Sequence, residues 1–123
     1  MSLHFSDEHV WIRNEGDVAT IGISQHAQET LGDIVFVGLP EIGKRFDATS
    51  IAGVVESVKA ASDVFMPVGG TVLEVNEALR ADPALANSDP LGAGWFFKMK
   101  LTTPSELDSL MDENTYAAFA VNT

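Results

Sequence analysis

The 123-residue chain contains no cysteine, which excludes disulfides, thiolate metal sites and cysteine nucleophiles together. Any redox cycle it serves must therefore use chemistry carried by an attached group or by a partner. Cations are scarce: seven Lys and Arg stand against 18 Asp and Glu, a formal charge of −11. That balance repels phosphate backbones and anionic lipid, so neither nucleic acid nor a membrane surface is an expected partner. It favours solubility, and it can also steer the chain onto basic patches of other proteins. No apolar run approaches the ~20 residues of a bilayer span. The opening MSLHFSDEHVWIRNEGD has neither a basic nor an apolar leader segment, so a cytoplasmic location is expected. Phosphate loops of the GxxxxGK[ST] kind and nucleophile elbows of the GxSxG kind are missing, which argues against an independent nucleotide-binding enzyme or hydrolase. His4, His9 and His26 lack i, i+4 or HxH spacing, and no metal site is expected.

What is present reads as one mainly β domain over 1–123. Hydrophobic residues make up 46% and charged residues 20%, enough apolar material at this length for a real core. Runs rich in Val, Ile, Phe and Thr recur between turn residues at 10–14, 18–23, 33–39, 51–58, 70–75 and 95–101. Within the last, Trp95, Phe97, Met99 and Leu101 alternate with Phe96, Lys98 and Lys100, as in a strand with one buried face. Glu15-Gly16 is placed to turn the first run onto the second. Trp11 and Trp95 are expected in the core. Helix is expected at the margins. Ser24 and Gly32 bracket a short helix as N-cap and C′ residues, and Thr103-Pro104-Ser105-Glu106 reads as a capping box with proline at N1. Leu107, Leu110 and Met111 then share a face, and a last helix over 113–120 turns Tyr116, Phe119 and Ala120 inward. Residues 76–94, punctuated by Pro, Gly, Asn and Asp, read as a long surface connection with room for a single helical turn.

One lysine stands apart. In GVVESVKAASDVFMPVGG (53–70), Lys59 is the only basic residue, and the next ones outward are Arg45 and Arg80. Val54, Val55 and Val58 lead into it, and Val64, Met66 and Val68 lead away, which suits two strands joined by a tight turn with Lys59 at or beside the tip. Pro67 lacks an N–H and belongs at an edge or strand end. A lysine at a hairpin tip is ordinarily just a solvated charge. Nothing here supplies the apolar burial a nucleophilic lysine needs, and the nearby Glu56 and Asp63 favour the ammonium form. Small neighbours leave the amine accessible, an arrangement that suits a lysine recognised and modified by a separate enzyme.

GVVESVKAASDVFMPVGGTVLEVNEAL resembles the lipoylation region of the glycine cleavage system H-protein family. The likeness extends to GDVATIGISQHAQETLGDIVFVGLP before it, and to NSDPLGAGWFFKMKL and TPSELDSLMDENTYAAF after it. The resemblance implies a barrel-sandwich hybrid of the lipoyl and biotinyl carrier type, with short peripheral and C-terminal helices at about 104–120 and a lipoyl hairpin at about 51–75. It implies lipoate in amide linkage on Lys59, with Glu56, Ser57, Val58, Ala60 and Asp63 forming the sequence that lipoate-attaching enzymes read. The implied protein is a monomeric carrier rather than an enzyme. A pyridoxal-phosphate glycine decarboxylase would load the aminomethyl group of glycine onto its arm, and a tetrahydrofolate-dependent aminomethyltransferase would unload it. A flavin dihydrolipoyl dehydrogenase would then reoxidise the dithiol with NAD, so that all cofactor chemistry belongs to the arm and the partners.

In the family the loaded arm folds back into a protective cleft, and the histidine matching His9 is a candidate arm contact. Family members commonly carry an acid between that histidine and the tryptophan matching Trp11. This chain has Val10 there, which removes a group able to hold the arm's cationic amine. Two further readings are a paralogue that relays lipoate to other apoproteins and a biotin carrier, whose lysine usually sits between two methionines. Val58 and Ala60 argue against biotin. A purely structural β module is the remaining alternative.

Overall fold

In a computed structural model, residues 2–121 are described; of the domain expected over 1–123, Met1, Asn122 and Thr123 lie outside them. Nine strands form two antiparallel sheets. The larger takes β1 (Ser2–Phe5), β2 (Val10–Glu15), β3 (Val18–Ile23), β5 (Arg45–Phe46), β8 (Gly70–Val75) and β9 (Phe97–Leu101), in the order β1-β2-β3-β9-β8-β5. The smaller takes β4 (Ile34–Gly38), β6 (Ile51–Ser57) and β7 (Ala61–Phe65), in the order β4-β6-β7. All six expected strand runs contain a strand. The short β1 and β5 are additions, too brief and too polar to stand out by alternation.

Inward side chains of the two sheets make one core. Ile12, Ile21, Val72 and Met99 come from the larger sheet and Val37, Val55 and Val64 from the smaller. The outer face of the larger sheet is covered as well: Phe5, Trp11 and Tyr116 form a second cluster with Trp95, Met111 and Phe119 packed against it. Val10, Trp11 and Ile12 are consequently all buried although they alternate in direction along β2. Trp11 pairs across the ladder with Gly22, where an added Cβ would stand 2.8 Å from the indole ring. Its Nε1–H donates to the Pro90 carbonyl at 2.9 Å, which satisfies the buried polar tip.

Helix α1 (Gln25–Leu31) starts where expected, the Ser24 hydroxyl accepting from the Ala27 N–H, and ends at Gly32 with φ 79. Helix α4 (Glu113–Val121) buries Tyr116. Three expectations need correction. Residues 76–94 form two short helices, α2 (Ala78–Ala81) and α3 (Leu85–Ser88), and both are pinned to the core by the fully buried Leu79 and Ala86. The capping box at 103–106 does not form. Pro104–Ser109 is a 3₁₀ turn without a side-chain cap, because the Glu106 carboxylate accepts from the Gly69 N–H at 3.0 Å instead. Phe96, expected on the outer face of the last strand, is buried just before β9.

Candidate functional site

Antiparallel pairing of β6 with β7 builds the expected hairpin. Val55 and Val64 hold it to the core, while the register Val54↔Asp63 and Glu56↔Ala61 puts Glu56 and Asp63 on the same outward face. Both acids are exposed. Val58, Lys59 and Ala60 make the connection. Ser57 organises it: its Oγ accepts from the N–H groups of Lys59 and Ala60 at 3.1 and 3.2 Å, and its N–H donates to the Ala60 carbonyl at 2.8 Å. A serine side chain standing in for backbone partners is the usual device for a tight turn of this kind. Val58, Lys59 and Ala60 are all exposed, Val58 to 67%.

The tip does not project alone into solvent. The Val58 N–H donates to the Asp33 carbonyl at 3.0 Å, tying it to the turn between α1 and β4. Beneath it, the Lys59 side chain lies over Gly32, where an added Cβ would stand 3.4 Å from Cε and 3.7 Å from Nζ. Those are ordinary contact distances, so the lysine stem rests against this turn, where the positive φ of 79 is what calls for glycine, and the exposed end of the chain remains accessible.

At the other end of α1 the fold gathers groups that spacing along the chain leaves apart. His9 and His26 rings lie 4.6 Å apart. The His9 Nδ1 is hydrogen-bonded to the Tyr116 hydroxyl at 2.6 Å, and that hydroxyl to the Ser24 Oγ at 2.7 Å. The C-terminal helix, the β1–β2 loop and the N-cap of α1 are thus joined by three side chains. Burial and the neighbouring His26 push the His9 pKa down, against the opposing pull of Glu8 and Asp7. Burial pushes the Tyr116 hydroxyl up. Val10, 2% exposed, points into the sandwich core opposite Ile23, so position 10 offers the surface neither an acid nor any other polar group. No group of three His, Asp or Glu able to hold a metal ion exists among the described residues.

Glu56, Ser57, Val58, Lys59, Ala60 and Asp63 are therefore together on one hairpin, and His9 lies across the length of α1 from them. The contributions of Gly32, Asp33, His26 and Tyr116 were not evident from the sequence, because each acts on residues distant along the chain. Gly32 was legible only as a helix end.

A two-sheet module offering a solvated lysine from a hairpin tip defines the class: a carrier domain of the lipoyl type. The glycine cleavage H-protein family model matches residues 3–123. The chain is 55% identical over 117 residues to the glycine cleavage system H protein of Parvibaculum lavamentivorans, covering 95% of this chain and 94% of that one. It is 54% identical over 112 residues to the H protein of Methylacidiphilum infernorum, covering 91% and 88%. The crystal structure of a glycine cleavage system H protein from Mycobacterium marinum superposes with a TM-score of 0.87 at 37% identity, over 95% of this chain and 94% of that one. The chain belongs to the glycine cleavage H-protein family, the lipoyl carriers of that system, which are not themselves enzymes.

Proposed function

We propose that this chain acts as a single carrier domain over 1–123, that Lys59 is its lipoyl attachment residue, and that Glu56, Ser57, Val58, Ala60 and Asp63 form the surface a lipoate-attaching enzyme reads. The observation that carries the reading is the placement of Lys59: exposed, at a hairpin tip shaped by Ser57, with its stem against Gly32. The residues present fit the group, since small Ala60 and Ala61 flank the amine and the outward acids Glu56 and Asp63 frame it without covering it. Lipoate attached there supplies a disulfide able to accept the aminomethyl group from a pyridoxal-phosphate glycine decarboxylase, yield it to a tetrahydrofolate-dependent aminomethyltransferase and be restored by dihydrolipoyl dehydrogenase. The protein's own residues position that arm and exchange it between partners.

Reach selects the surface the arm can revisit. Lysine plus lipoyl extends roughly 14 Å from the backbone. An open cleft of about 700 Å³ lies between the β1–β2 loop, the end of β7 and the C-terminal segment. Its far wall at Phe65 and Met66 is six or seven strand residues from Lys59, about 20 Å at a strand's rise, beyond the arm, whereas its near edge at Asp7 and Glu8 adjoins His9. His26 is six helical residues from Gly32, only about 9 Å. The His9–His26 face is thus the accessible stop. There Asp7 and Glu8, whose charges act on His9, are the acids available to a cationic cargo that Val10 cannot hold.

Intact and peptide mass after expression with lipoate and a lipoate-attaching enzyme tests the assignment. A lipoyl increment is expected on the peptide holding Lys59, and none in Lys59→Ala, which keeps the wild-type circular dichroism and loses glycine decarboxylation. An unmodified Lys59, beside an H protein that is modified in the same mixture, would overturn the attachment.

A further inference from the structure

We propose that Asn87 is a positioning residue for Lys59, acting through the turn on which the hairpin tip rests. This rests on the attachment of lipoate to Lys59 proposed above. The Asn87 amide uses both of its ends on that turn. Its Nδ2 donates to the Gly32 carbonyl at 2.8 Å and to the Gln28 Oε1 at 3.0 Å, while its Oδ1 accepts from the Ile34 N–H at 2.8 Å. The assignment of oxygen and nitrogen is forced, since one end faces an N–H and the other faces carbonyl oxygens. One side chain therefore clamps the last turn of α1, Gly32 and the first residue of β4.

The clamped segment is the one that holds the tip. Gly32 lies under the Lys59 stem, and Asp33, between the two clamped backbone groups, accepts the Val58 N–H at 3.0 Å. Asn87 is itself fixed, because the preceding Ala86 is fully buried and anchors α3 to the core. A continuous path then runs from the core through Ala86, Asn87 and Asp33 to Val58 and the modified lysine. A hairpin at a sheet edge is otherwise free to rock. An enzyme that must fit Lys59 into its active site binds better to a tip already held in place, since less motion is lost on docking.

The effect belongs in recognition, not in chemistry, and this separates positioning from mere stability. In Asn87→Ala, amide hydrogen exchange at Ile34 and Val58 should quicken about tenfold while Ile12 and Ile21 in the larger sheet keep their protection. In the lipoate-transfer reaction, the KM for the same chain should rise about threefold or more with kcat held within about twofold. Asn87→Asp retains the acceptor for Ile34 but turns a carboxylate oxygen toward the Gly32 carbonyl and the Gln28 Oε1, so it should loosen the tip at least as much as alanine and serves as an independent second test. Unchanged exchange at Val58 in a folded variant, or a loosened tip with wild-type KM, would overturn the proposal. A wild-type chain left unmodified in the same assay would instead defeat the attachment to Lys59, and the exchange measurement would still decide whether Asn87 holds the tip.

Discussion

His9 has a backbone φ of 64, uncommon for any residue but glycine, although histidine, asparagine and aspartate adopt it more readily than other side chains. The bend aims its ring at Tyr116 and His26 rather than along the strand. Partial burial in that position, with His26 beside it, favours the neutral imidazole. Because its folded pKa lies below the unfolded value of 6.5, the folded chain binds fewer protons than the unfolded chain as pH falls through that region, and acid favours unfolding. Above 6.5 both states are neutral here and the contribution vanishes. Asparagine tolerates the left-handed backbone and does not titrate, so His9→Asn is the informative variant. Urea unfolding at pH 7 and pH 5 should show the wild type losing more stability on acidification than the variant. Parallel losses would mean that His9 is not the titrating group.

At the scale of elements, the tightest approach lies between β4 and β6. A Cβ at Gly53 would stand 2.3 Å from the Gly38 carbonyl oxygen, so the strand that leads to the Lys59 hairpin tip depends on a missing methyl. Gly53→Ala must push β4 aside and should cost about 1–3 kcal/mol. Gly16, at φ 64 with nothing near its absent Cβ, should accept asparagine for a few tenths of that. Chemical denaturation of both variants checks the contrast, and equal stabilities would show that β4 moves freely. The Gly53–Gly38 approach was not evident in the sequence, whereas the hairpin itself was: Val54, Val55 and Val58 lead into a turn of small residues and Val64, Met66 and Val68 lead away from it. The 76–94 segment misled because its Pro and Asn content marks turns, while Leu79 and Ala86 bury through contacts distant in the chain. The Thr103–Glu106 motif misled similarly, since the carboxylate had a better partner in Gly69. Lys59 was legible by isolation and by its resemblance; the seat under it was not, because Gly32 and Asn87 meet it only after folding.

Over the whole molecule, the −11 charge would be sharpened locally by the lipoylation proposed at Lys59. Amide formation there would remove the lysine's positive charge and leave the exposed Asp33, Glu56 and Asp63 as the charges nearest the arm. If the enzymes it serves present basic docking surfaces, the lipoylated form should be drawn to them more strongly than the unmodified chain. Attraction between exposed charges acts before contact, so it raises the association rate and is screened by salt, while the dissociation rate changes little. Stopped-flow association of the lipoylated chain with each enzyme should slow about tenfold between low and high salt. Glu56→Gln with Asp63→Asn should flatten that dependence without altering the fold, since both side chains are exposed and neither supports the core. A salt-independent rate in the wild type would assign the acidity to solubility alone, and recognition would then rest on the shape of the tip that Ser57 and Gly32 hold.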